Sequence, residues 1–328
     1  MLSKETSSQI SPAKQRRKRR KEEQQGNSSS NFEALNPSNN QSIPQFCLYS
    51  YGHVHTFDKA LTEDQQSLII ADIHFTGLLK LEDDKRNDLN FILAFLQECK
   101  KFVNVVGSEV QSCSGSMWAI GWQKSMTKLE IVEQYVNTET IKKNQEAFDQ
   151  HVQDSDKVSK ILWKLFHKIG NVALLANQQF MVGHNLPAFS DSQIPGRNSG
   201  SSKDFFSTNL TFTSHGFSNH PHKDTSDEPK IPFAFLLVIP TRKSTGQVAL
   251  EIKGYNGQMP DTMVLAIFAQ RFYVHRTLPL NKPGDFTKVG MPRHIAQKTT
   301  RIYDRQEFVA EPHMHVGDVL HILNKIKK

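Results

Sequence analysis

His222-Lys223-Asp224, followed about fifty residues later by His275, is the grouping in this chain best suited to chemistry. On an extended strand, residues i and i+2 face the same way, so one imidazole and one carboxylate can converge on a single ion. A second imidazole, from Phe272-Tyr273-Val274-His275 on a predicted later strand, would complete a set of two nitrogens and one carboxylate oxygen. Such a set occupies one face of an octahedron and leaves positions open, the pattern of non-haem Fe(II) oxygenases. It is the only His-x-Asp in the chain, yet its spacing alone is also that of ordinary loop and core histidines. Three His-x-His pairs, His53/His55, His220/His222 and His313/His315, compete as metal donors and leave open a cupin-like binder or a metal-storage protein.

The elements that must hold these residues can be read from periodicity. Residues 46–57 and 67–79 are rich in β-formers with polar turn residues between them, and are expected to be strands. Leu89, Ile92, Leu93 and Leu96 recur at helical spacing after an acidic start, which predicts an amphipathic helix over 85–101. Residues 129–152 are expected to form two short helices or one bent one. Val158, Ile161, Leu162, Leu165, Phe166 and Ile169 then make one apolar stripe, with Asp154 or Ser155 as N-cap. A helix so one-sided must dock on an apolar surface, and a sheet face is the natural partner. Residues 187–207 are Ser/Gly/Pro-rich and read as a loop. Past Thr208 the period becomes that of strands: NLTFTSHGF, IPFAFLLVIP, GQVALEI, TMVLAIFA and RFYVHRTL. Helices followed by consecutive strands predict an α+β fold, with a jelly-roll core mainly over 208–300 and flanking helices from the N-terminal half.

Composition narrows the class. No run of 18 apolar residues exists, so no membrane span is expected. The N-terminus lacks the apolar core of a secretory signal, and three irregularly spaced cysteines suit neither a disulfide framework nor a zinc knuckle. These features point to a reducing intracellular compartment. The net charge of +7 is uneven: residues 1–26 hold eight Lys/Arg and three Glu, a local +5, which leaves +2 for residues 27–328. The high pI therefore reports a basic tail, and charge alone makes no case for a nucleic-acid face on the domain. Residues 1–44 are too poor in apolar side chains to offset the entropy of ordering, and are expected to be disordered. Within them, Arg16-Arg17-Lys18-Arg19-Arg20-Lys21 is either a nuclear import signal or a solvated charge run.

Longer blocks carry a resemblance. The stretch from Asn209 to Asp224 (NLTFTSHGFSNHPHKD), Met117-Trp118-Ala119-Ile120-Gly121-Trp122, DDKRNDLNFILAFLQECKKFVN and DFTKVGM stand in one order over roughly residues 46–300. Together they resemble the fungal TET/JBP-like dioxygenases. The resemblance implies a double-stranded β-helix that holds Fe(II), with 2-oxoglutarate and O₂ as cosubstrates, in a family whose better-known members oxidise the methyl group of modified pyrimidines in DNA. It implies that His222 and Asp224 are the proximal metal ligands and His275 the distal one. Lys288 falls where the family usually has an arginine that pairs with the far carboxylate of 2-oxoglutarate. Lysine supplies that charge without the bidentate fork.

Further roles are candidates only. Trp118 and Trp122 could stack on a flipped base, or could be packing residues. Asn209 and Asn219 flank the proximal ligands and could orient them or the cosubstrate, or could simply form turns. The implied domain spans 45–300, with 301–328 as a C-terminal extension. Between Gly254-Tyr255-Asn256-Gly257 and Met263 the chain is shorter than the family pattern, by a glycine-rich turn and a strand. Loss of a strand would expose sheet edges and displace the distal ligand. Two functions therefore stand against each other. One is a dioxygenase that hydroxylates a C–H bond of a modified base in DNA or RNA. The other is a non-catalytic jelly-roll module, recruited through its basic tail.

Overall fold

The computed structural model describes residues 52–58, 69–107, 111, 115–124, 132–191, 203–231, 233–249, 262–277 and 284–304. The basic tail, the pair His313/His315 and the shortened segment before Met263 lie outside them. The elements run β1 (Gly52–Phe57), β2 (Ile69–Gly77), α1 (Asp83–Cys99), β3 (Ser116–Lys124), β4 (Val132–Gln134), α2 (Thr138–Lys143), α3 (Gln145–Gly183), β5 (Asn209–Ser214), β6 (Ala234–Arg242), β7 (Thr262–Phe268), β8 (Phe286–Arg293) and α4 (Gln297–Asp304). The strands form one antiparallel sheet in the order β1-β2-β7-β6-β8-β5-β3-β4. The α+β class is therefore as expected, but the sheet is not confined to residues 208–300. The N-terminal half contributes β1 and β2 at one edge and β3 and β4 at the other.

The helices cover one face of this sheet. The predicted stripe of α3 is real: Val158, Ile161, Leu162 and Phe166 are buried, with Leu165 and Ile169 packed against them. Each fully buried side chain of this kind stabilises the fold by about 1.5–3 kcal/mol. Their partners are alternate residues of three central strands: Phe235, Leu237 and Ile239 of β6, Met263, Leu265 and Ile267 of β7, and Val289 and Met291 of β8. Helix α1 joins the same core through Leu89, Ile92, Leu93 and Leu96.

Two local expectations are corrected. Neither Asp154 nor Ser155 caps α3, which starts nine residues before Asp154, at Gln145. The Ser155 hydroxyl instead donates to the carbonyls of Val152 (2.5 Å) and Ser190 (3.3 Å), a bond that lets serine sit inside a helix. Residues 129–152 hold the short strand β4 as well as α2 and the start of α3. Helix α3 continues to Gly183 through a break at Gly170 (φ −158°, ψ 61°), where the chain passes over Ile267.

Side-chain alternation defines the other face. Residues paired across adjacent antiparallel strands point the same way. Ala234 pairs with Phe268, Leu236 with Ala266 and Pro292, Val238 with Val264 and Gly290, and Pro240 with Lys288. All of these therefore turn away from the helices, as the partners of core residues cannot. This second face is where the candidate metal ligands lie.

Candidate metal centre

Strand β5 delivers the chain to this face. After Ser214, His215 (φ 61°) and Gly216 (φ 78°) adopt left-handed backbone and turn the chain out of the sheet. The segment that follows pairs with the one after β7. The Asn219 N–H donates to the Thr277 carbonyl (3.2 Å), while the Asn219 side chain accepts from the Thr277 N–H (2.5 Å). The His222 and His275 backbones exchange two hydrogen bonds of 3.0 Å, and the Asp224 N–H donates to the Gln270 carbonyl (3.2 Å). His222 and His275 are thus opposed in an isolated bridge, not on the regular strands that the sequence suggested. A directly opposed pair brings its side chains as close as a full ladder would.

The three side chains converge. Ligand atoms of His222, Asp224 and His275 all lie within 4.8 Å of one another. His222 Nε2 is 3.5 Å from Asp224 Oδ1, and His275 Nε2 is 3.3 Å from Asp224 Oδ2. Neighbouring ligand atoms of an octahedral ion with bonds of about 2.1 Å stand roughly 3 Å apart, so an ion fits with little adjustment. Both rings are held from behind: His222 Nδ1 lies 2.7 Å from the His220 carbonyl and His275 Nδ1 3.2 Å from the Tyr273 carbonyl. A carbonyl accepts only from N–H, so each Nδ1 carries a proton, and Nε2 is the atom that each ring would offer to a bound ion. The His275 ring rests edge-on against Phe268, 5.3 Å between centroids, on the face of the sheet away from the helices.

Electrostatics agree with cation binding. Burial pushes the Asp224 carboxyl upward, but the His275 hydrogen bond and the charges of His294, His275 and His222 outweigh it, and its pKa falls below the ordinary value. For His275, burial acts downward, but the Asp224 hydrogen bond, the Tyr273 carbonyl and the charges of Asp224 and Asp227 raise the ring above the usual imidazole value. The pair is an anion facing two basic nitrogens, the donor set that a divalent cation takes.

A supporting layer was not visible in the sequence. The Asp227 N–H donates to the Asp224 carbonyl (3.1 Å), and the buried Asp227 carboxylate accepts from the Gln270 amide. Arg271 donates to the carbonyls of Thr225 and Asp227, and His294 Nε2 is 3.7 Å from Asp227 Oδ1. These bonds fix the turn that aims Asp224. Asp227→Ala is expected to weaken metal binding about tenfold, since such supporting partners typically contribute 10–100-fold. Titration of the purified chain with Fe(II) or Co(II) checks this, and unchanged affinity would show that the turn holds without Asp227.

The remaining sequence candidates fall in different places. Lys288 lies on the triad's side of the sheet, by its pairing with Pro240. Asn219 clamps the paired segments, as described above. Asn209 is buried on β5, and its side-chain oxygen finds no hydrogen-bond partner among the described residues. Trp118 and Trp122 are 8% and 0% exposed; Trp118 belongs to the helix-side core and stacks on Phe212 at 5.4 Å. A base could reach either ring only if that ring left the protein interior. The distal ligand is not displaced by the shortened segment, for His275 sits within reach of both proximal residues. A second group, His53, His55 and Asp72, likewise has ligand atoms within 4.8 Å of one another.

Comparison with known proteins adds the family. The profile of the Tet-like 2OG-Fe(II) oxygenase superfamily matches residues 82–280, more than half of the chain. The match includes His222, Asp224 and His275 and ends before Lys288. No curated protein matches. Among solved structures, NgTET1 in complex with 5mC DNA is similar at 10% identity and a TM-score of 0.41, over 78% of this chain and 81% of that one. With the profile spanning α1 to the distal histidine, this chain belongs to the Tet-like 2OG-Fe(II) oxygenase superfamily.

Proposed function

We propose that the chain is an Fe(II)- and 2-oxoglutarate-dependent dioxygenase that hydroxylates the methyl group of a modified nucleobase in DNA, with His222, Asp224 and His275 as metal ligands. The observation that carries this reading is the convergence of two Nε2 lone pairs and one carboxylate in a family of iron oxygenases. Bound Fe(II) would supply O₂ activation, coupled to conversion of 2-oxoglutarate to succinate and CO₂ and of a C–H bond to C–OH. The protein's own part is to fix the ligands and to seat the cosubstrate. His222 and His275 keep their tautomers through the backbone carbonyls behind them, and Asp224 is aimed by the Asp227 turn. Lys288, Gly290 and Pro292 share a face of β8 that continues toward His294. The lysine thus stands on the metal ligands' side of the sheet, the side from which a small dicarboxylate would be held. Lys288 would meet its far end with a charge-assisted bond.

Incubation with Fe(II), 2-oxoglutarate, isotopically labelled O₂ and DNA containing 5-methylcytosine tests the substrate. The expected product is the base carrying one labelled oxygen atom on its methyl carbon. Labelled product on RNA or protein but not on DNA would move the reading to another substrate. The basic run would bring the chain to that DNA in the nucleus. Replacing Arg16 through Lys21 with alanine is expected to abolish nuclear enrichment, as seen by imaging a tagged chain; unchanged localisation would dismiss an import role. Among the described residues, no helix is long and apolar enough to cross a membrane.

A further inference from the structure

The β1–β2 hairpin assembles a second set of metal-binding side chains, remote from the triad in the chain. His53 stands opposite His74 and His55 opposite Asp72 in the β1–β2 ladder. These two cross-strand pairs, two residues apart, form a two-by-two block on one face of the hairpin. His53 Nε2 is 2.5 Å from Asp72 Oδ1, His55 Nδ1 is 3.7 Å from Oδ2, and His74 Nε2 is 3.2 Å from Oδ1. The His53 ring lies 3.9 Å from that of His55 and 3.5 Å from that of His74. His74 Nε2 is shut off from solvent and has no hydrogen bond of good geometry, although it faces the carboxylate.

The block is separate from the catalytic candidate. Asp72 pairs with Ile267 and His74 with Leu265, both of which face the helices. The triad lies on the other face, where Phe268 meets His275. The two clusters are thus divided by the sheet.

Protons satisfy this arrangement poorly. Three imidazoles aimed at one carboxylate would, if all were charged, place three cations around a single anion, with the His53 ring centre under 4 Å from each of the other two. If neutral, only one nitrogen can donate well to each carboxylate lone pair while the rings crowd one another. One divalent ion removes the conflict, because it accepts every lone pair at once. Three imidazole nitrogens and one carboxylate oxygen are also a zinc-type tetrahedral set, which closes the shell and leaves no open position for chemistry.

We propose that the β1–β2 hairpin binds a second transition-metal ion of the zinc class through His53, His55 and Asp72, with His74 as the fourth donor. Its role is structural. Strand β1 is an edge strand of the sheet, and five of its six residues are exposed, so apolar burial holds it only weakly. A hairpin with so little buried surface is marginal alone, and an ion that bridges its two strands would pin the edge.

The test uses the full chain, stripped of metal and titrated with Co(II) as a spectroscopic reporter and with Zn(II). Wild type is expected to bind two equivalents of Co(II), one with the intense visible absorption of a tetrahedral site. His53→Ala/His55→Ala should lose one equivalent together with that absorption. Asp224→Ala/His275→Ala should lose the other and keep it. Zn(II) should raise the Tm of Asp224→Ala/His275→Ala, and should have no such effect once His53 and His55 are also replaced. Asp72→Asn, a nearly isosteric change, should lose the absorption with the fold intact by circular dichroism. Retention of the tetrahedral signal in His53→Ala/His55→Ala would overturn the proposal, as would an Asp224→Ala/His275→Ala chain that binds no metal. A wild type with one equivalent, lost only in the hairpin variants, would support this site and contradict the triad.

Discussion

Asp224→Ala is expected to remove tight Fe(II) binding, with a loss of affinity well beyond 100-fold. The carboxylate is the only anion of the triad, and both Nε2 atoms face it, at 3.5 and 3.3 Å. Its removal leaves only two uncharged imidazole donors and no charge to balance the ion. Partners that merely orient a ligand already contribute roughly 10–100-fold, so loss of the ligand itself must exceed that range. The fold should survive, because Asp224 is partly exposed and is not in the apolar core. Asp224→Asn keeps the shape but not the charge, and should fall between wild type and the alanine variant. Titration with the hairpin histidines replaced isolates the effect; unaltered affinity in that background would place the ion elsewhere.

Lys288→Ala should raise the KM for 2-oxoglutarate roughly 10–150-fold, the equivalent of a lost charge-assisted bond of about 1.5–3 kcal/mol. Metal affinity should stay constant, since no ligand is touched. Lys288→Arg should keep or lower the KM, because the guanidinium restores a two-pronged contact with a carboxylate. The other basic residues nearby are poorly placed for this task. Arg276 is exposed and adjacent to His275, so it points the opposite way along an extended backbone. Arg293 is fully buried on the helix side, its guanidinium 4.4 Å from the Phe189 ring and 4.3 Å from that of Phe206. An alanine variant with wild-type 2-oxoglutarate dependence would mean that another group holds the carboxylate.

The sequence made the helices and central strands legible because each has a one-sided apolar period. Helix α1 and the stripe of α3 dock on the sheet through the residues that the periodicity picks out. The candidate triad was legible because His222 and Asp224 are neighbours in sequence, His275 falls on a predicted later strand, and the resemblance favoured this set over the competing His-x-His pairs. What stayed hidden depends on contacts distant along the chain. Asp227, Gln270, Arg271 and His294 support the site from three separate segments, with no local spacing to betray them. The extent of α3 was hidden because a serine at position 155 imitates a cap, while its hydroxyl is in fact spent on Val152 and Ser190. His53 and His55 could be read as a metal pair, but only the β1–β2 register sets Asp72 and His74 opposite them.

Succinate formation from 2-oxoglutarate by the purified full chain supplied with Fe(II), with and without DNA containing 5-methylcytosine, separates an oxygenase from a binding module. Fe(II)-dependent succinate is expected, rising when the methylated DNA is added and disappearing in Asp224→Ala. Succinate no greater than that of Asp224→Ala, from a wild-type chain shown to carry iron at the triad, would contradict the oxygenase assignment and identify the domain as a non-catalytic binding module.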